Sequence, residues 1–385
     1  MTNKTWNWQQ EDWPSFSYSK ETLEPLEMEY LKVSGVSFGI MKSLSKEDQS
    51  KLAVELICDE AMETSEIEGE ILNRDSVRSS IIREFGLSDG FKQAGIKPEE
   101  QGIAKMMIRQ YSEYKTPLTH EMIYNWHDNL MLGRYKIKAG EYRTYKEDMQ
   151  IVSGRVDKPK IHFVAPPSKD VPKEMDRFIT WFNKTAPDQK QALLPLTRAG
   201  IAHLYFLSIH PFEDGNGRIS RALVSKVLSQ EMNAPILTAI SSTINANRKQ
   251  YYEILGVQNK GNEITPYLES FGKTILDSQK LTVQKLDFIM AKAKFFNNFQ
   301  GQLNPRQEKA ALRIFKQGLT GFEGGFSVQN YISITKAPRA TATRDLADLV
   351  AKGVFTRSGH LKTTRYELNL APFQTNNLFN KGRRN

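Results

Sequence analysis

The twelve residues 210–221 read HPFEDGNGRISR. They hold one histidine, two carboxylates, two glycines, an asparagine and two arginines, too much charge for a buried helix or strand. The apolar run LTRAGIAHLYFLSI leads into this stretch and RISRALVSKVLSQEM leads out, so it reads as the joint of a helix–loop–helix. Gly215 and Gly217 let the backbone turn with positive φ and approach a ligand closely. Asn216, Gly217 and Arg218 fall at the start of the second helix, where free N–H groups and the helix dipole favour an anion. Arg218 and Arg221 share a face of that helix, and two guanidiniums there imply several phosphate charges. Asp214 could hold Mg²⁺ together with phosphate oxygens. His210 is the general base that the loop offers, and Phe212, its one large apolar residue, is expected to anchor it in the core. The alternative for such a run is a capped, exposed turn.

The rest of the chain must position these groups. Its 385 residues allow two or three domains. The composition, 39% hydrophobic and 25% charged, is that of a water-soluble globular protein. No apolar run approaches the ~18 residues of a membrane span, and the first residues lack the pattern of a secretory signal. The single cysteine, Cys58, excludes an internal disulfide framework and a cysteine-based zinc site, which suits a reducing cytoplasm. Trp6, Trp8, Trp13, Phe16 and Tyr18 crowd the N-terminus and suggest an aromatic plug or short strand against the body.

Helical patterns are expected at 46–66, at 119–133 with Thr119 as N-cap, at SKDVPKEMDRFITWFN with Pro172 in its first turn, and on both sides of the joint. A polar stretch lies near 86–103. Residues 150–165 read as a β-hairpin stopped by Pro166-Pro167. From Leu303, LNPRQEKAALRIF is a helix opened by Pro305, FSVQNYISI a short helix or strand, and APRATATRDLADLVAKG a helix ended by Gly353. VFTRSGHLKTTRYEL follows as two strands around Ser358-Gly359, completing a winged-helix pattern. From residue 281 onward, 17 Lys/Arg stand against 6 Asp/Glu, whereas the whole chain carries +9, so the basic excess lies at the C-terminal end. Such an excess fits a nucleic-acid-binding module or a merely soluble basic surface. Arg339, Thr341, Thr343 and Arg344 at the start of the third helix, with Arg357, Lys362 and Arg365 in the wing, are the candidate DNA contacts; docking of a protein is the competing use.

HPFEDGNGRISR resembles the signature of the Fic family, His-Pro-Phe-x-Asp/Glu-Gly-Asn-Gly-Arg-x-x-Arg, with every fixed position filled, and the likeness extends over roughly residues 48–275. The aromatic N-terminus and the winged helix resemble modules that often flank Fic cores. The resemblance implies transfer of AMP from ATP to a protein Ser, Thr or Tyr hydroxyl. His210 would then be the base and Asp214 the Mg²⁺ ligand. Gly215, Asn216 and Gly217 would receive the α-phosphate, Arg218 the β- and γ-phosphates, and Arg221 the γ-phosphate. The hairpin resembles the family's flap, on which a target adds a strand, with Ile161, His162, Phe163 and Val164 as the docking strand and His162 facing solvent. Tyr251 and Tyr252 resemble the family's adenine-side tyrosines and Asn259 its adenine-contacting asparagine, with Tyr251 and Asn259 as the expected contacts. TSEIEGE, residues 64–70, matches the family's inhibitory pattern: Glu66 and Glu70 flank the carboxylate, and Gly69 marks Glu68 as the residue that would pair with Arg221 and hold ATP in an unproductive pose.

The expected architecture is mainly α: a Fic helical core with a β-hairpin flap and a C-terminal winged helix-turn-helix domain. Its parts are an aromatic-rich region at 1–45, an inhibitory helix and connector at 46–100, the core at 101–280, a linker helix at 281–302, the winged helix at 303–372 and a basic tail at 373–385. The expected function is adenylyl transfer restrained by Glu68, with Mg²⁺ and ATP as cofactor and co-substrate. The partners would be a target protein on the flap, DNA at the C-terminal domain and a second copy as homodimer, in the cytoplasm and away from membranes. The rivals are another nucleotide donor, removal of AMP with Glu68 aligning a water, and a DNA-binding regulator built on a Fic core.

Overall fold

The computed structural model describes residues 5–87, 95–155, 158–322 and 324–374, and they fold mainly as α-helices. They divide into two units, Met1–Thr282 and Val283–Asn385. No helix among the described residues is long and apolar enough to cross a membrane.

The first unit is built around α7 (Pro195–Ile209). LTRAGIAHLYFLSI is apolar on all sides, and all but one of the helix's residues are buried, as a helix without a polar face requires. Its partner is α8 (Asn216–Glu231), equally enclosed through Ser229. Around this pair lie α2 (Lys46–Ile67), α3 (Arg74–Glu84), α4 (Pro98–Ser112), α5 (His120–Leu130), α6 (Val171–Lys184), α9 (Ile240–Ala246) and α10 (Arg248–Gln258). Thr119 caps α5 by accepting the Met122 N–H at 3.1 Å, and Pro172 stands in the first turn of α6, both as the sequence suggests. Cys58 is a core residue, and burial pushes its thiol up to about 12, which makes it an inert packing group.

Several helices escape the sequence reading: α3, α9 and α4, which starts inside the stretch taken as polar near 86–103, and above all α1 (Lys20–Lys42), which occupies most of the region taken as aromatic-rich. Pro25, Gly35 and Gly39 obscure its pattern, but Leu23, Glu27, Tyr30, Val33, Ser34 and Ser37 form its buried stripe. Glu27 has a positional role. Its carboxylate accepts the Leu196 N–H at 2.9 Å, the Thr197 N–H at 2.7 Å and the Thr197 hydroxyl at 2.8 Å. It therefore caps the first turn of α7 from another helix and fixes the end opposite His210.

The N-terminal aromatics do pack on the body. Trp13 and Phe16 make edge contacts with Tyr205 of α7, and Trp6 meets Phe163 edge-on at 5.4 Å. The Trp8 indole N–H donates to the Val164 carbonyl at 2.7 Å, and Asn7 donates to Ser208 and, through its backbone, to the Asn259 carbonyl. The segment thereby ties the base of the hairpin to the C-terminal half of α7. That hairpin is β1 (Gln150–Arg155) paired antiparallel with β2 (Lys158–Val164), with an irregularity between Ile151 and Val152.

The second unit takes up the chain inside α11 (Thr265–Asn298) and continues with α12 (Pro305–Phe315), α13 (Val328–Thr335), α14 (Arg339–Ala351), β3 (Phe355–Ser358) and β4 (Arg365–Leu368). FSVQNYISI, open between helix and strand in the sequence, is helical because Ser327 caps it and accepts the Asn330 N–H. The two strands are not joined by a tight turn at Ser358-Gly359. The connection runs through 359–364 and includes a 3₁₀ turn at Leu361–Thr363. Asp345 locks the unit from α14, accepting from Arg306 of α12 at 2.8 Å and from the Tyr331 hydroxyl of α13 at 2.9 Å.

Glu27 supplies a direct test of how the central helix is held. Glu27→Ala leaves two buried backbone donors unsatisfied and should cost about 2 kcal/mol of stability. Glu24→Ala, on the exposed face of α1, should cost almost nothing. Urea unfolding of the two variants compares them.

Candidate functional site

The joint begins where α7 stops. His210 takes the left-handed conformation (φ 50°, ψ 59°), which a non-glycine residue adopts only at a cost, and this ends the helix. Gly215 also has positive φ (83°), and a Cβ there would meet Leu130 Cδ2 and Met131 Cε at 2.9 Å. Phe212 fills the core as expected and stacks on His127 at 3.9 Å. The Asn216 side chain closes the loop on itself, accepting the Phe212 N–H at 3.0 Å and donating to the Phe212 carbonyl at 2.9 Å. It is spent on loop shape; what remains toward a ligand is the backbone N–H row at the start of α8, which has no intrahelical acceptor.

Arg143 braces the joint and is legible in the sequence only as one arginine among many. It is 2% exposed and donates to the carbonyls of His210 (2.8 Å) and Pro166 (2.5 Å), and to the Ser168 hydroxyl (2.9 Å). One guanidinium therefore sets the end of the hairpin against the carbonyl of His210. The His210 ring reaches the Leu207 carbonyl at 3.3 Å. Burial first, with Arg143 adding to it against the pull of the Leu207 carbonyl, pushes the imidazole down to about 4, so it is neutral and able to accept a proton at neutral pH.

The arginines of α8 are buried, Arg218 at 1% and Arg221 at 2% exposure, and every buried charge needs a partner. Arg221 Nη2 donates to Glu68 at 2.7 Å, while its Nε donates to the Thr64 hydroxyl at 2.7 Å. Glu68 thus stands where the sequence expects it. Its carboxylate also lies across the start of α8: a Cβ on Gly217 would come within 2.3 Å of Glu68 Oε1. The helix that carries Glu68 is moored to α9, because Glu60 accepts from the backbone and hydroxyl of Ser241 and Glu63 accepts from Asn245.

Besides Arg143, two more site residues were not anticipated. Glu70 accepts from Arg218 Nη1 at 2.6 Å and also from Arg134, which stands just beyond α5. Arg134 and Arg218 each donate to Asp214 Oδ2 at 3.2 Å. The Glu70 assignment was within reach of the sequence, since Glu70 is two residues from Glu68. Arg134 lacks any local signal. Asp214 is 40% exposed, and no group of three or more His, Cys, Asp or Glu that could hold a metal occurs among the described residues. A Mg²⁺ at Asp214 would therefore draw its remaining ligands from phosphate oxygens and water, an arrangement that suits this ion.

The remaining expected residues are placed unevenly. Tyr251 lies within electrostatic reach of Arg221 and Glu68, but its hydroxyl faces inward to His203 Nε2 at 3.0 Å, and His203 in turn meets the Tyr267 hydroxyl at 2.8 Å. Tyr252, on the same helix, is 46% exposed and feels Glu68 and Arg221 as well. Asn259 caps α10, and its backbone bonds the N-terminal segment and its own helix. In the hairpin, Ile161 is exposed, Phe163 is buried against Trp6, and Val164 is half-buried. His162 does not simply face solvent; it is half-buried and bonds the Ser153 hydroxyl across the strands at 2.5 Å. In the second unit, Arg339, Thr343 and Arg344 are exposed on α14 and Thr341 is half-buried, while Arg357 is exposed on β3 and Arg365 half-buried on β4. The side chain of Lys362 lies outside the described residues.

The Fic/DOC family profile matches residues 117–228, and a domain of unknown function (DUF4172) matches residues 6–87. The protein adenylyltransferase Fic of Drosophila grimshawi is 35% identical over 166 residues, 43% of this chain and 30% of that protein. Protein adenylyltransferase fic-1 of Caenorhabditis elegans is 24% identical over 194 residues, 50% of this chain and 34% of that protein. The chain thus spans about a third of the length of these curated relatives. In three dimensions, a Fic family protein from Desulfovibrio desulfuricans aligns with a TM-score of 0.54 at 20% identity, covering 92% of this chain and 98% of that one. Fic-1 of C. elegans aligns with a TM-score of 0.52 at 19% identity, covering 71% and 75%. The histidine-to-arginine joint and the hairpin fall inside the profile match, and Glu68 and Glu70 fall inside the other: the chain carries a Fic/DOC-family domain, preceded by a second module that reaches into its site.

Proposed function

We propose that the protein is an adenylyltransferase that moves AMP from ATP to a hydroxyl of a protein and is restrained by Glu68. The observation that carries this reading is the joint itself. The His210 imidazole stands at one end, the start of α8 in the middle, and two buried guanidiniums at the other end are balanced by carboxylates. The adenylyltransferase names of the relatives favour the AMP donor over other nucleotides.

In the proposed reaction His210 takes the proton of the target hydroxyl. The oxygen attacks the α-phosphorus in line, and the bond to the β-phosphate oxygen breaks as pyrophosphate leaves. The N–H groups at the start of α8 would receive the α-phosphate oxygens as charge builds on them. Arg218 and Arg221 would hold the β- and γ-phosphates. Mg²⁺ at Asp214, when bound, would neutralise phosphate charge. The hairpin has only two strands, β1 and β2, which supports docking of an extended target segment on an outer edge, with Ile161 available to it and Phe163 committed to the core. Tyr252, the exposed member of the tyrosine pair, is the better placed for the adenine, with Tyr251 supporting it from below.

Restraint by Glu68 follows from the pair with Arg221 and from the carboxylate lying over Gly217. A γ-phosphate directed to Arg221 would have to displace that carboxylate. The second unit is proposed to be a winged helix whose α14 and hairpin meet DNA, because Arg339, Thr343, Arg344 and Arg357 are exposed together with the basic excess of this part of the chain.

With radiolabelled ATP and Mg²⁺, Glu68→Gly should label itself or a target in lysate more strongly than the unaltered protein. Adding His210→Ala should reduce labelling by at least about 10²-fold. No label from Glu68→Gly with any target would remove adenylyl transfer. Because the His210 pKa is lowered, the ring stays unprotonated as the pH falls through the ordinary histidine range. Labelling by Glu68→Gly should therefore hold level from pH 8 to about 6 and decline only toward the depressed value, whereas a midpoint near the unperturbed ~6.5 would contradict the burial argument. For the second unit, DNA affinity of the full chain should fall steeply with salt, and Arg339→Ala with Arg344→Ala should reduce the salt slope by about 2. Absence of DNA binding at low salt would favour protein docking there.

A further inference from the structure

We infer that the polyphosphate site contains a third guanidinium, Arg134, and that Glu70 is a second restraining carboxylate, which holds Arg134 and Arg218 as Glu68 holds Arg221. The inference rests on the proposed use of this joint for a nucleoside triphosphate.

The two carboxylates are delivered by one structural device. Helix α2 ends in a glycine cap: the Gly69 N–H donates to the Glu66 carbonyl at 2.9 Å, the Glu70 N–H donates to the Ser65 carbonyl at 2.9 Å, and Gly69 takes φ 84°. This double back-bond fixes the residues on both sides of the glycine. Glu68 is thereby placed on Arg221, and Glu70 reaches Arg218 at 2.6 Å and Arg134 beside it. The positive φ explains why a glycine stands between them.

Arg134 is held as firmly as a binding residue should be. Its N–H donates to the Met131 carbonyl at 2.9 Å in the turn after α5, and Gly133 (φ 87°) packs on Pro98, where an added Cβ would come within 2.9 Å of the proline. Its guanidinium shares Asp214 Oδ2 with Arg218. Among the described residues, Arg134 Nε and Arg218 Nε are both buried without an acceptor. The carboxylates present therefore leave donors of both arginines unused, and a larger anion that displaces Glu70 could take them up. A triphosphate is such an anion, and with one bound divalent cation its net charge is comparable to that of the two glutamates it would replace.

The consequence is a division of labour. Removing Glu68 frees Arg221 but leaves Arg218 and Arg134 closed by Glu70, so the Glu68→Gly protein should still bind ATP below its capacity. The effect belongs to the β- and γ-phosphates, so AMP, which lacks them, should not register it.

Isothermal titration of Glu68→Gly, Glu68→Gly/Glu70→Gln and the same double variant with Arg134→Gln, each with ATP–Mg²⁺ and with AMP, tests this. Glu70→Gln should tighten ATP about tenfold, and Arg134→Gln should remove at least that gain, with AMP affinity unchanged throughout. Equal ATP affinities in Glu68→Gly and Glu68→Gly/Glu70→Gln would overturn the inference, as would AMP affinities that move with those of ATP. If the glutamine variant does not fold, Glu70→Asp, too short to bridge both arginines, should give the same direction of change. Failure of Glu68→Gly to transfer AMP would count against the proposed reaction alone, since nucleotide binding is read separately.

Discussion

Three guanidiniums, from Arg134, Arg218 and Arg221, are held by the carboxylates of Glu68, Glu70 and Asp214 at one end of a buried helix. Arg218 and Arg221 are almost wholly enclosed, so each requires a negative partner at all times. That requirement makes the site a place of exchange. Whatever anion enters must take over from a glutamate, and whatever displaces a glutamate must supply comparable charge. The glutamates come from the end of α2, whereas the arginines come from α8 and the turn after α5, so the state of the site depends on where the end of α2 lies.

The rest of the first unit keeps the arginines and the imidazole in fixed relation. Glu27 caps α7 at one end, and Arg143 holds the carbonyl of His210 at the other. Asn216 and Phe212 fix the loop between, so the left-handed turn at His210 is over-determined by its surroundings. The N-terminal tryptophans tie the hairpin to the same helix through Val164, and Arg143 adds the Pro166 carbonyl. The surface on which a target could add a strand is thus referenced to the residue proposed to take its proton. Glu60 and Glu63 do the same for α2, mooring it on α9, next in sequence to the helix of Tyr251 and Tyr252.

Much of this was legible in the sequence because it is carried by local signals. The apolar runs, Thr119, Pro172 and Pro305 mark helices by periodicity and capping, and the joint concentrates its chemistry in one short segment. What escaped is set by long-range contact. Helix α1 hides its stripe behind a proline and two glycines, and the burial of Glu27 is decided by an α7 terminus 169 positions away. Arg134 and Arg143 carry no motif, and only folding brings them to Asp214 and to the His210 carbonyl. The inward turn of the Tyr251 hydroxyl depends in the same way on His203, a residue inside an apolar helix.

In the proposed reaction, phosphate and carboxylate compete for the same guanidiniums. A crystal structure of the Glu68→Gly protein with ATP and Mg²⁺ tests that competition most directly. Competition should place the γ-phosphate within hydrogen-bonding distance of Arg221, the α-phosphate at the start of α8 and its phosphorus facing His210. A nucleotide bound away from α8, with Arg221 still paired to protein groups alone, would contradict it.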